Sequence, residues 1–182
     1  MAVTEPTITL ATVALDCLSM AVSGNPNPPL NVCFRVGKQI AHDLGQFTDL
    51  CCEGLAYVSL GDTFPTESSF PQQDTASQVQ GSCGPATWGQ VIRLGIVRCV
   101  PVGDQNGEPP TCADWNSAFI QNAYDSASLR RATCCLRSWF LAASDFYLGM
   151  SIVIDRQVQV DPNGGCVERY VDVTVQFPNC DC

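Results

Sequence analysis

Charge is scarce in this sequence. Asp, Glu, Lys and Arg make up only 15% of its 182 residues, against about 25% in an ordinary globular domain. Cations are scarcest: Lys38 is the single lysine, the other basic residues are arginines, and the net charge is −9. Direct binding of phosphate or nucleic acid needs clustered Lys and Arg, and the composition argues against it. Histidine occurs once, at position 42. His42 stands beside Asp43, but a metal phosphohydrolase centre needs several more imidazole ligands than that. No uninterrupted apolar run approaches the ~18 residues of a membrane span. The start, Met1-Ala-Val-Thr-Glu-Pro6, lacks the basic segment of an export signal. The expectation is a soluble chain made in a cytoplasm, with no membrane partner.

The usual marks of catalysis are missing too. There is no G-x-S-x-G elbow, no phosphate-binding G-x-x-x-x-G-K-[ST] loop, no H-E-x-x-H and no G-x-G-x-x-G. The stretch Gln80-Gly-Ser-Cys-Gly-Pro-Ala-Thr-Trp88 approaches the nucleophile region of papain-like cysteine proteases. It fails where that pattern needs its cysteine, because position 86 is Ala86, and His42 precedes the stretch instead of following it. Two carboxylates such as Asp145 and Asp155 can meet in any fold, but nothing in their surroundings marks them. The reading is of a non-enzyme with no cofactor, no metal and no catalytic residue.

Against these absences stand twelve cysteines. Structural zinc asks for pairs at C-x₂₋₄-C spacing, and no C-x-x-C occurs. Disulfides require an oxidising setting; Cys166, Cys180 and Cys182 are the candidates for bridging. Buried free cysteine, acting as a small hydrophobe, is the third reading.

Hydrophobic residues amount to 46%, enough for one domain with a real core. Residues 7 to 23 carry Ala11, Leu15, Leu18 and Val22 at helical spacing, with Pro6 placed for a first turn and Gly24 for a stop. This helix and the Asn25-to-Pro29 linker make up residues 1–30. Val32 to Val36 reads as a short strand, and Lys38 to Leu50 has no clean period. Gly54 to Leu60 reads as a strand buried on both faces and ended by Gly61-Asp62. A long polar loop, 61–88, follows. It bears Phe64-Pro65 and Phe70-Pro71, which either tuck onto the core or dock a neighbouring subunit. Gln90 to Val100 is a strand with Ile92, Leu94 and Ile96 on one face. Thr111-Cys-Ala-Asp114 is close to a capping box; it opens a helix to about Leu136 whose stripe of Trp115, Phe119, Ala123 and Ala127 should lie on the sheet. Alternation around Ile152 to Val160 and Val167 to Phe177, joined at Asp161 to Gly165, predicts a hairpin. The order helix, strand, strand, helix, strand, strand predicts an α+β fold, two helices on an antiparallel or mixed sheet, as a single domain over 1–182.

Several runs also carry a resemblance. They include Val32-Cys-Phe-Arg-Val-Gly37, Asp49-Leu-Cys-Cys-Glu-Gly-Leu-Ala-Tyr-Val58, Gly61-Asp-Thr-Phe-Pro65, Gly95-Ile-Val-Arg-Cys-Val-Pro101, Leu129-Arg-Arg-Ala-Thr-Cys-Cys135, Gly164-Gly-Cys-Val-Glu-Arg-Tyr170 and Pro178-Asn-Cys-Asp-Cys182. From about residue 32 onward the chain resembles a head-to-tail connector family of phages infecting actinobacteria, and its element order is similar to tail terminators of long-tailed phages. That resemblance implies a structural virion protein, made in the bacterial host cytoplasm and located in the phage neck. It implies a homo-oligomeric ring, a hexamer in that family, which caps the major tail tube protein and joins it to the head-side connector. DNA would pass through the lumen without specific binding. A head–tail stopper or adaptor of the same neck, and a disulfide-stabilised binding module, are the alternatives.

Overall fold

The computed structural model describes residues 6–37, 52–66, 69–73, 87–103, 107–142, 151–163 and 165–178. The elements run α1 (Pro6–Ser23), β1 (Asn31–Arg35), β2 (Leu55–Pro65), β3 (Thr87–Cys99), α2 (Cys112–Ala142), β4 (Ile152–Ile154), β5 (Val158–Asn163) and β6 (Cys166–Pro178). The fold is α+β: two helices on a mixed sheet of order β1-β2-β3-β6-β4, with β5 also paired to β6. β1 runs parallel to β2, and the other pairings are antiparallel.

The centre of the sheet is a long ladder between β3 and β6, from Thr87 opposite Pro178 to Cys99 opposite Cys166. Alternation decides what each face does. Ile92, Leu94 and Ile96 of β3 and Val171, Val173 and Val175 of β6 turn to the helices. There they meet Leu10, Ala14 and Leu18 of α1 and Leu129, Ala132 and Leu136 of α2, all fully buried. The opposite face carries a smaller cluster of Leu55, Tyr57, Val97 and Cys166. Gly95 is required here: a Cβ would overlap the Tyr57 ring lying across it. By length and composition α1 could cross a membrane, yet its apolar stripe packs against the sheet and α2.

Four expectations need correction. β2 continues through Pro65, and β3 starts at Thr87, so the loop is shorter than 61–88. Gly61 and Asp62 do not end the strand, because a register shift between Leu60 and Thr63 absorbs them, as a β-bulge does. The aromatic stripe of α2 does not lie on the sheet; Trp115 and Phe119 are exposed, and the buried face runs Asp125, Ser128, Leu129, Ala132, Thr133, Leu136 and Phe140. Finally, the segment read as one strand before the last turn is two, β4 and β5, both on the same edge of β6.

The polar half of that buried helical face has partners. Arg98, at the end of β3, donates from Nε to Asp125 Oδ2 at 2.9 Å and from Nη2 to Asp125 Oδ1 at 3.0 Å. Its Nη2 also reaches the Asn27 carbonyl at 2.8 Å. Asn25 and Gln121 donate to the same carboxylate at 3.3 and 3.2 Å, and the Ser128 hydroxyl donates to Asn25 Oδ1 at 2.9 Å. One ion pair thus joins β3, α2 and the turn after α1. Gly54, at φ +83°, clears the space that the guanidinium fills.

Two disulfides between described residues fasten the same layers. Cys17–Cys135 links α1 to α2 across 118 residues, and Cys52–Cys99 links the approach to β2 with the end of β3 across 47. Loop-closure entropy alone makes such bridges worth about 5 and 4 kcal/mol. No group of three or more His, Cys, Asp or Glu that could hold a metal occurs among the described residues.

Removing one partner of a buried ion pair strands the other charge and costs about 3–5 kcal/mol. Asp125→Ala should therefore lower the free energy of urea unfolding of the oxidised protein by about that amount. A loss under about 1 kcal/mol, typical of a surface pair, would show that the pair is not the joint described.

Candidate interaction surfaces

Buried ionisable groups are the first place to look for chemistry. On the sheet face away from the helices, the Tyr57 hydroxyl donates to the Glu168 carboxylate, and both residues are buried. Burial, and then the Glu168 charge, push the Tyr57 phenol far above its ordinary range. Next to it Arg93 grips Asp172 with Nε and Nη2, each at 2.8 Å. The same guanidinium lies 3.6 Å from the centroid of the Tyr170 ring. Shallow clefts of about 140 and 420 Å³ reach Asp172, with Arg93 or Tyr170 beside it, but neither is lined by Tyr57 or Glu168. Paired with each other, these groups hold strands β2, β3 and β6 together.

The residues singled out in the sequence are scattered. Phe64 and Pro65 belong to β2, and the Phe64 ring sits where a side chain on Gly89 of β3 would be. The half-buried ring thus lies over its own sheet. Phe70 and Pro71 lie in a short turn closed by Gln72 N–H to the Ser69 carbonyl at 2.8 Å. Phe70 is half-buried and Pro71 exposed. Cys166 is disulfide-bonded; Cys180 and Cys182 lie outside the described residues, as do His42, Asp43, Ala86 and Asp145. Cys33, Cys112 and Cys134 are free thiols.

Among the described residues, exposed large apolar side chains gather around two concavities. One lies at the β1 edge of the sheet. Ile8 of α1, Phe34, Val36 and Leu60 are all exposed there, Val36 by 97%. They line a concavity of about 360 Å³ with Ala11 and Val58 at its walls. β1 is also the edge of the sheet; its last residue, Arg35, lines the concavity as well and is the kind of charge that native folds set at an edge to discourage pairing.

The second patch lies on the first half of α2. Trp115 is 49% exposed and Phe119 73%, with Ile120 and Tyr124 beside them. A cavity of about 230 Å³ opens below Trp115 and Phe119, between α2 and the strands β3, β5 and β6. α2 begins as its sequence requires. The Thr111 N–H and hydroxyl donate to Asp114 Oδ2 at 2.9 and 2.7 Å, and Asp114 N–H donates back to Thr111 Oγ1 at 3.3 Å. These bonds hold the Asp114 carboxyl below its usual range.

No protein-family model matches the chain, and no curated protein matches it. The two patches are therefore read from their own chemistry. α1 packs on β1, β2 and β3, whereas α2 packs on β3, β4 and β6. The patches consequently sit toward opposite ends of the sheet. Exposed aromatics in contiguous groups mark contact surfaces more often than isolated ones do. Periodicity revealed the Trp115–Phe119 stripe but assigned it inward, since an apolar stripe normally faces the core. The signal against that assignment was Asp125 and Ser128 on the other face, which only the fold pairs with Arg98 and Asn25.

Tyr57 gives this architecture a pH signature. Its folded pKa is raised above the unfolded value of about 10, so its contribution is intact below pH 10 and is lost as pH rises beyond it. Unfolding free energy should fall there by an additional slope of about 1.4 kcal/mol per pH unit. Tyr57→Phe should remove that slope in denaturant titrations at stepped pH; a variant with the slope unchanged would place the alkaline sensitivity elsewhere.

Proposed function

We propose that this chain is a structural subunit of the neck of a long-tailed phage, a tail terminator that assembles as a closed ring. In this reading the ring caps the tail tube, joins it to the head-side connector and lets DNA pass without specific binding. The observation that carries it is the pair of unlike apolar patches at opposite ends of one sheet. A cyclic ring of more than two copies needs this: each copy must offer one surface to the copy before it and a different one to the copy after. A twofold dimer needs only a single self-complementary patch.

The charge supports the same role. A net charge of −9 makes a wall that repels a polyanion. The disulfides are compatible with it, since bridges such as Cys17–Cys135 form once a particle leaves a reducing cytoplasm. A stopper or adaptor of the same neck would share these features and differ in its neighbours. The disulfides also favour a second reading, a bridged binding module that works as a monomer, because small secreted domains use such staples in place of a larger core.

Native mass separates the two. Purified protein should run as a ring of about six subunits, or assemble into one on tail tubes of the major tail protein. Val36→Asp, at a side chain 97% exposed, should convert it to monomers with unchanged circular dichroism and melting temperature. A wild-type monomer indifferent to tail tubes would discard the ring and leave the binding module.

A further inference from the structure

The cavity beneath the start of α2 has a charged side. Its apolar wall is Ile96, Val100, Ala118 and Val167, with Trp115 and Phe119 at the mouth. Arg169 of β6 lines it too. The guanidinium is held by two neutral amides: Nε donates to Asn122 Oδ1 at 2.8 Å, and Nη2 donates to Gln159 Oε1 at 2.5 Å. Asn122 Nδ2 donates to the same Gln159 oxygen at 2.9 Å, which closes the triangle and fixes the orientation. Nη1 is left without a protein acceptor among the described residues.

Amides orient a cation but do not neutralise it. Among the described residues Asp125 is the one carboxylate on the cavity wall, and it is paired with Arg98. The lining therefore carries one uncompensated positive charge in a chain of net charge −9. Burial pulls the Arg169 guanidinium below its ordinary range; the Asp125 carboxylate opposes that shift and the like charge of Arg130 adds to it, so a bound anion would act with Asp125. The volume of about 230 Å³ falls under the roughly 300–1,000 Å³ of sites for drug-sized ligands. It suits one large apolar side chain rather than a nucleotide.

We infer that this cavity is a docking slot for an acidic peptide segment of a partner chain, which inserts one aromatic or branched aliphatic side chain between Trp115, Phe119 and Val167 and sets a neighbouring carboxylate on Arg169 Nη1. The slot gives a chemistry to the α2-side patch and does not depend on the number of copies in a ring. Charge complementarity selects the acidic segment, since a basic one would meet Arg169 and Arg130 with like charge.

The test uses the intact oxidised protein and the aromatic sulfonate 1-anilinonaphthalene-8-sulfonate as probe. Binding is read as energy transfer from Trp115, with Trp115→Phe as the blank. Arg169→Gln should weaken binding at least about fivefold, a loss on the scale of one charge-assisted hydrogen bond. Arg169→Lys should retain more affinity than Arg169→Gln, which separates charge from fold, and both variants are checked by melting temperature. Leu60→Ser, in the distant patch, should leave binding unchanged. The peptide acetyl-Glu-Phe-Glu-amide should displace the probe, whereas acetyl-Lys-Phe-Lys-amide should not. Equal binding by wild type and Arg169→Gln, or equal displacement by the two peptides, would overturn the slot whether or not the protein forms rings.

Discussion

The arrangement of the helices depends on one buried ion pair, Arg98 with Asp125. Hydrophobic contact alone would let α2 slide along the sheet, because apolar packing has little directional preference. A bidentate guanidinium–carboxylate pair does have one. Taking both charges out of water is costly, and the cost is recovered only if the remaining donors and acceptors are also met. Here they are, through the Asn27 carbonyl, Asn25 and Gln121. The register of α2 over β3 and the path of the chain after α1 are fixed together. The exposed stripe of α2 follows: once Asp125 and Ser128 face inward, Trp115 and Phe119 must face out or to the side.

The other face of the sheet obeys the same logic with different parts. Tyr57, Glu168, Arg93 and Asp172 stand on neighbouring positions of β2, β3 and β6. They are satisfied by one another. A sheet buried on both faces needs such pairs where its strands carry polar residues inward. The disulfides add chain-entropy constraint to a fold whose helices are far apart in sequence from the segments they touch.

Periodicity exposed most of the architecture. α1, the strands around Ile92 and Val173, and the capping box at Thr111 were legible because each rests on local pattern or local hydrogen bonds. The bulge at Gly61-Asp62 was not, since a strand that resumes after a glycine depends on the ladder beside it, here Gln90 opposite Thr63. The orientation of α2 was hidden for a similar reason: a helix with a buried aspartate looks inverted until its arginine, 27 residues away in sequence, is placed. Of the residues marked as sites, Phe64 lies against Gly89 of its own sheet, and the most exposed apolar side chains of the two patches are Val36 and Phe119. Their exposure comes from tertiary placement, which no short motif records.

Two unlike exposed apolar patches, one at the β1 edge and one on α2, are the feature behind the proposal that this fold is a ring subunit. Electron microscopy of the purified oxidised protein, alone and bound to tail tubes, reads the resulting symmetry directly. Closed rings with a single rotational axis and a central opening are the predicted result. Twofold dimers, or single particles that never close on the tube, would contradict the account.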